Sequence, residues 1–173
     1  MAKEPNMNTE SCGIAVKIPI SGGHFATVDA EDFERISAFK WKASVRVKKD
    51  GTIAKVYAQR SRRDGGSPMM HRSIIEYNGP MQVDHINGDG LDNRRCNLRL
   101  CSRSENMANQ EIGIGNTSGR KGVTWHKRDA VWQAQLKVNG KMLYLGSFPD
   151  LDQAKAAYDR AAREAFGQFW RAT

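Results

Sequence analysis

With 173 residues, the chain has room for one medium domain or two small ones, each with a modest core. A hydrophobic content of 39% and aromatics at 8% exclude a disordered chain, and no apolar run approaches the ~20 residues that cross a bilayer. The net charge of +8 favours an anionic partner, with nucleic acid ahead of a membrane surface.

The opening stretch, MAKEPNMNTESCG, lacks the apolar centre of a signal peptide. Cys12, Cys96 and Cys101 form an odd, scattered set, which suits a reducing cytosol better than a disulfide framework. Residues 13–80 read as short strands and turns. IAVKIPI and VYAQRSRR alternate, and KKDG is a hairpin-type turn between WKASVRV and TIAKVYAQ. Residues 40–63 hold nine Lys or Arg against one Asp. That excess is either a solvated strand face or an edge that tracks phosphates, with Arg60, Arg62 and Arg63 as its contacts.

Residues 81–109 read as strand, loop, strand, helix. Met81 and Val83 form a short apolar strand, NGDGLDN is a polar turn, and NLRLC returns as an alternating strand. Ser102-Arg103-Ser104-Glu105 fits a capping box, so a helix starts at Ser102, with Asn106 in its first turns and Asn109 one turn on. Asp84 offers a hard oxygen ligand for a divalent cation, and Asn106 an amide oxygen from the helix. Alternation sends His85 to the other side of its strand, where an imidazole of ordinary pKa ~6.5 can take a proton from water. Asn97, on the returning strand, is placed to orient that imidazole.

Residues 110–120, QEIGIGNTSGR, carry Gly and Ser without periodicity and read as a linker. In 121–173, Asn139-Gly140 between alternating apolar runs signals a type I′ hairpin. That register sets Val138 opposite Lys141, Lys137 opposite Met142, Leu136 opposite Leu143, Gln135 opposite Tyr144 and Ala134 opposite Leu145. Ala134, Leu136, Val138, Leu143 and Leu145 then share one face, and Gln133, Gln135, Lys137, Met142 and Tyr144 the other. DLDQAKAAYDRAAREAF carries an amphipathic stripe, begun by Asp150 or Asp152 and stopped by Gly167. Trp125 and Trp132 read as core residues.

VDHINGDGLDNRRCNLRLCSRSEN at 83–106, with MHRSI at 70–74, resembles the HNH (ββα-metal) nucleases, especially phage and intron homing endonucleases. The resemblance implies Asp84 and Asn106 as ligands of one divalent metal, His85 as general base and Asn97 as its orienter. Asn109 is a fallback ligand. His71 matches a histidine that precedes the motif, and either packs beneath the site or touches substrate or metal. Many family members have His where Asn106 stands. A neutral amide ligand argues for Mg²⁺ or Mn²⁺ and against zinc. Cys96 and Cys101 also lack the spacing of a zinc knuckle.

KGVTWHKRDAVWQAQLKVNGKMLYLGSFPDLDQAKAAYDRAA resembles the ethylene-response-factor type of DNA-binding domain, a three-stranded sheet on one helix with the sheet in the major groove. Its DNA contacts fall on Lys121, Thr124, His126, Gln135, Lys137, Met142 and Tyr144, with Arg128 and Lys141 as further basic contacts. Thr124, His126 and Met142 stand where the family carries arginine, so fewer bidentate guanine contacts are available.

The expected architecture is therefore α+β. A nuclease domain with N-terminal strands spans 1–109, a linker 110–120 and a DNA-binding domain 121–173. The expected function is metal-dependent hydrolysis of a phosphodiester in double-stranded DNA by a monomer or a DNA-bound dimer. No small-molecule substrate or membrane is involved, and the expected location is the cytoplasm of a bacterial host that carries a phage or mobile element. The alternative is a non-catalytic, sequence-specific DNA-binding regulator with a vestigial nuclease motif.

Overall fold

The computed structural model describes residues 12–48, 50–60, 66–113 and 115–172, so Arg62 and Arg63 lie outside the described residues. Backbone proximity divides the chain into two compact units, Met1–Leu100 and Cys101–Thr173. Small antiparallel sheets and a few helices make the molecule α+β.

In the first unit, β1 (Ala15–Ile20) pairs with β2 (His24–Asp29), and β3 (Lys42–Val47) with β4 (Ile53–Gln59). β5 (Gln82–His85) pairs with β6 (Leu98–Cys101), whose last residue falls beyond the division. The KKDG turn closes β3 on β4: Lys48 N–H donates to Thr52 O, and the Asp50 carboxylate accepts from the Thr52 N–H and hydroxyl. Two helices stand where strands and turns were expected: α1 (Ala30–Ser37) and α2 (Met70–Ile75). At eight and six residues they are too short for a helical period to assert itself in the sequence. Asp29 precedes α1, and Glu31 and Asp32 in its first turn suit the positive end of the helix dipole. Both helices bury apolar residues, Ile36 and Met70 with Ile74, in one core with Ile18, Val28, Val83 and Leu98.

Cys12 and Cys96 form a disulfide, with Cα atoms 5.4 Å apart across 84 residues of sequence, while Cys101 is a buried free thiol. The expectation of unpaired cysteines is thus corrected. The fold brings two cysteines together whose sequence spacing carried no hint of it.

The second unit holds α3 (Arg103–Asn109), a sheet in the order β7 (Val123–His126), β8 (Val131–Val138), β9 (Lys141–Phe148), and α4 (Leu151–Phe166). The hairpin register holds from Val138↔Lys141 to Gln135↔Tyr144, then shifts, so Ala134 meets Gly146 rather than Leu145. An inserted residue of this kind is a β-bulge, which no alternation pattern announces. Leu143, on the predicted apolar face of the hairpin, is 47% exposed. Asp150 begins α4 by accepting from the Asp152 and Gln153 N–H groups, and Gly167 follows its end. Ala134, Leu136, Ala154, Tyr158, Ala162 and Phe166 build the core between helix and sheet. Gly122 sits against Tyr158: a Cβ there would lie 2.1 Å from the ring, at a φ of +67°. Trp132 packs on this core, whereas Trp125 is 42% exposed and stacks edge-on against Trp132, correcting its assignment as core.

The 110–120 stretch is in part a built turn. Asn116 Nδ2 donates to Arg120 O, and the Ser118 hydroxyl lies within hydrogen-bond distance of Asn116 Oδ1, Arg120 O and Val123 O.

Candidate active site

Asp84 and His85 end β5, and both are buried, although alternation sends their side chains to opposite sides. The loop returning to β6 is tied internally by its own polar side chains. Asn87 Oδ1 accepts from the Asp89 N–H, Asp89 Oδ1 from the Leu91 N–H, and Asn87 Nδ2 donates to Asp92 Oδ2. Arg94 holds the Asp92 carboxylate with two bonds of 2.7 Å, which keep that carboxyl below its usual range. The loop is also stitched to β2: Thr27 N–H donates to Leu91 O, and Asn93 N–H to Thr27 O. Gly90 lets it lie against β4, since a Cβ there would be 2.3 Å from Val56 O and 2.5 Å from the Tyr57 ring.

Asn97 belongs to this loop framework. Its Oδ1 accepts from the Asn87 N–H at 3.0 Å, and its Nδ2 donates to Asn87 Oδ1 and Asp92 O. The side chain that meets the imidazole is instead Asn93, whose Oδ1 lies 3.3 Å from His85 Nε2. Asn97 as the orienter of His85 is therefore corrected: its amide is committed to closing the turn between β5 and β6. Asn93 was missed because the sequence offers several Asn in one polar run, with no periodicity to separate them.

Three rings cluster here. His71, on α2, stands edge-on to His85 with centroids 5.0 Å apart, and Tyr57 on β4 lies 6.1 Å from His71 and 5.9 Å from His85. Burial lowers the pKa of His71 to about 3, with the neighbouring His85 and Arg72 acting in the same direction. Burial also lowers His85, opposed by the Asn93 contact and the Asp84 charge. Both imidazoles are thus neutral at pH 7, and His71 packs against the site. Burial raises the Tyr57 pKa, so its phenol keeps its proton.

Asp84 has a buried partner the sequence did not reveal. Arg99 Nε and Nη2 donate to Asp84 Oδ2 at 3.1 and 2.9 Å. Both belong to the alternating strands β5 and β6, and a charged pair this buried persists because each neutralises the other. Asn106 is half-buried on α3, in the second unit, and Asn109 is buried on the same helix. The capping box is present: Ser102 N–H donates to Glu105 Oε2 at 2.6 Å, and Glu105 N–H to the Ser102 hydroxyl. Asp29, Glu31 and Asp32 form a second acidic group within 4.8 Å. In it, Asp32 holds Arg35 and Arg95, Glu31 reaches Arg95, and Asp29 Oδ2 accepts the Arg95 N–H.

Of the expected DNA contacts, Thr124, Arg128, Lys137, Lys141, Met142 and Tyr144 are exposed, and His126 and Gln135 are half-buried. Lys121 is half-buried. Its Nζ donates to Ala108 O at 2.6 Å and to Gln110 O at 2.5 Å, and burial lowers its pKa to about 8. The Arg60 guanidinium stacks 3.7 Å over the Phe39 ring.

β5 thus carries a buried carboxylate and a buried, neutral imidazole at successive positions, and residues 69–108 match the family described as HNH endonuclease. The chain belongs to that family, whose members use divalent metal ions and act on DNA. Protein 3.8 of Escherichia phage T7 is 36% identical over 110 residues, which cover 61% of this chain and 90% of that protein. An uncharacterized HNH endonuclease of Acanthamoeba polyphaga mimivirus is 29% identical over 152 residues, 85% of this chain and 73% of the relative. An ethylene-responsive transcription factor-like protein of Arabidopsis thaliana is 32% identical over 108 residues, covering 62% of this chain and 43% of the plant protein. No solved structure matches the chain significantly.

Proposed function

We propose that the chain is a phage or homing-type endonuclease that hydrolyses a phosphodiester of duplex DNA with one Mg²⁺ or Mn²⁺ ion. The observation that carries this reading is the neutral, buried imidazole of His85 next to the Asp84 carboxylate, within the residues that match the family. Asp84 and Asn106 would hold the ion, as the family resemblance implies. Their oxygen donors suit a hard cation rather than zinc. Bound there, the ion would supply charge stabilisation at the scissile phosphate and the leaving oxygen. His85, unprotonated at pH 7, accepts the proton of the attacking water. Asn93 meets its Nε2, and the ring cluster of Tyr57 and His71 limits its motion. The exposed face of the C-terminal sheet, with Thr124, Gln135, Lys137, Met142 and Tyr144, would hold the duplex in the manner of ethylene-response-factor domains.

One observation favours the non-catalytic, DNA-binding alternative: Arg99 already neutralises Asp84. A plasmid-nicking assay decides. Wild type should convert supercoiled DNA to open circles with Mg²⁺ and stop with a chelator, and His85→Ala should be slower by a factor of about 10²–10⁴. Equal products from both proteins would reject His85 as base, and cutting that ignores the chelator would reject the metal.

A further inference from the structure

α3 carries Asn106, yet its fixings come from the C-terminal sheet. At one end the Asn139 N–H, in the β8–β9 turn, donates to the Ser104 hydroxyl at 3.0 Å. At the other, Lys121 Nζ, two residues before β7, donates to the carbonyls of Ala108 and Gln110. Between them Ala108 is 5% exposed in the core with Val123, Ala134 and Leu136. Ser104 and Met107 also line a groove of about 290 Å³ together with Thr124, Gln135, Lys137 and Met142, residues of the sheet's outer face. A helix of seven residues does not persist by itself in water, so these anchors hold it. A cation on the last carbonyls is also where the helix dipole is negative.

We propose that Lys121 is a positioning residue for the nuclease: it latches α3, and Asn106 with it, onto the DNA-reading sheet. The proposal rests on the reading of Asn106 as a metal ligand. α3 is then a shared element, closing the nuclease motif in sequence while standing on the address module in space. The offset from the recognised sequence to the metal-binding helix is fixed by packing rather than by a flexible tether. Two of the three N–H donors of the Lys121 ammonium are committed to carbonyls.

The test uses the full chain as Lys121→Met, Lys121→Arg and Asn106→Ala, each checked for folding by circular dichroism. Three quantities are read: hydrogen exchange of the α3 amides, Mn²⁺ binding by electron paramagnetic resonance without DNA, and the salt dependence of duplex binding. Lys121→Met should exchange its α3 amides faster and bind Mn²⁺ about tenfold more weakly. Its salt slope should stay at the wild-type value, and Lys121→Arg should recover most of the affinity. Unchanged exchange and Mn²⁺ affinity, with a slope smaller by about one phosphate, would make Lys121 a DNA contact and overturn the latch. Wild-type Mn²⁺ binding by Asn106→Ala would overturn the ligand reading and the functional half of this proposal. Faster exchange in Lys121→Met would still establish the latch.

Discussion

His71 shows how burial sets chemistry at a single residue. Its ring is 9% exposed, and its pKa falls from the ordinary 6.5 to about 3. The folded chain therefore binds fewer protons than the unfolded one between those values, so stability is full above pH 6.5 and declines as pH falls toward 3. Each unit of that window costs about 1.4 kcal/mol, so roughly 2 kcal/mol is lost by pH 5. His85, shifted in the same direction, adds to the loss. Urea unfolding at pH 7.5 and pH 5 should show the decline in wild type and a smaller one in His71→Gln, which cannot charge. An equal decline in both proteins would mean that His71 titrates elsewhere. At the same scale, Arg99 explains why Asp84 tolerates burial, and Asn93 why His85 holds one orientation.

Among the elements, the loop between β5 and β6 is the one on which the site depends. Gly90→Ala would push a methyl group into the Val56 carbonyl at 2.3 Å, and backbone cannot swing aside as a side chain can. We expect a stability loss of about 1–3 kcal/mol and slower nicking, as the loop that carries Asn93 and Asn97 is displaced. Gly113→Ala, with nothing within 4 Å, should stay within roughly 0.5 kcal/mol of wild type. Thermal unfolding and the nicking rate of the two variants check this, and a Gly90→Ala protein as stable and active as the control refutes it. The elements also show what a sequence reveals. The capping box at Ser102, the Asn139-Gly140 turn and the stripe of α4 were legible because each is local, its partners lying within a few residues. α1 and α2 were hidden because eight and six residues leave too few turns for a period to be counted. The bulge at Ala134 was hidden because it is set by twist and packing. At the site, Asp84 and His85 were legible as a motif, while their partners Arg99 and Asn93 depend on how two strands and a loop close in space.

For the whole molecule, two cores imply two unfolding events. One is built on Ile36, Met70, Ile74 and Leu98, the other on Val123, Ala134, Leu136 and Tyr158. The disulfide joins Cys12 to Cys96, both in the first unit. Closing a loop of 84 residues removes entropy from the unfolded chain worth roughly 4–5 kcal/mol in the chain-entropy picture. That stabilisation acts on the unit whose unfolded ensemble the bond restricts. Reduction, or the change Cys12→Ser, should therefore lower the stability of the first unit and leave the second unchanged. Hydrogen exchange resolved by segment, measured with and without reductant, separates the two: amides of β2 and β5 should lose protection while those of β8 and α4 keep theirs. Equal loss in both sets would mean that the two cores unfold as one cooperative body. The latch on α3 would then be held by the fold as a whole rather than by the C-terminal sheet.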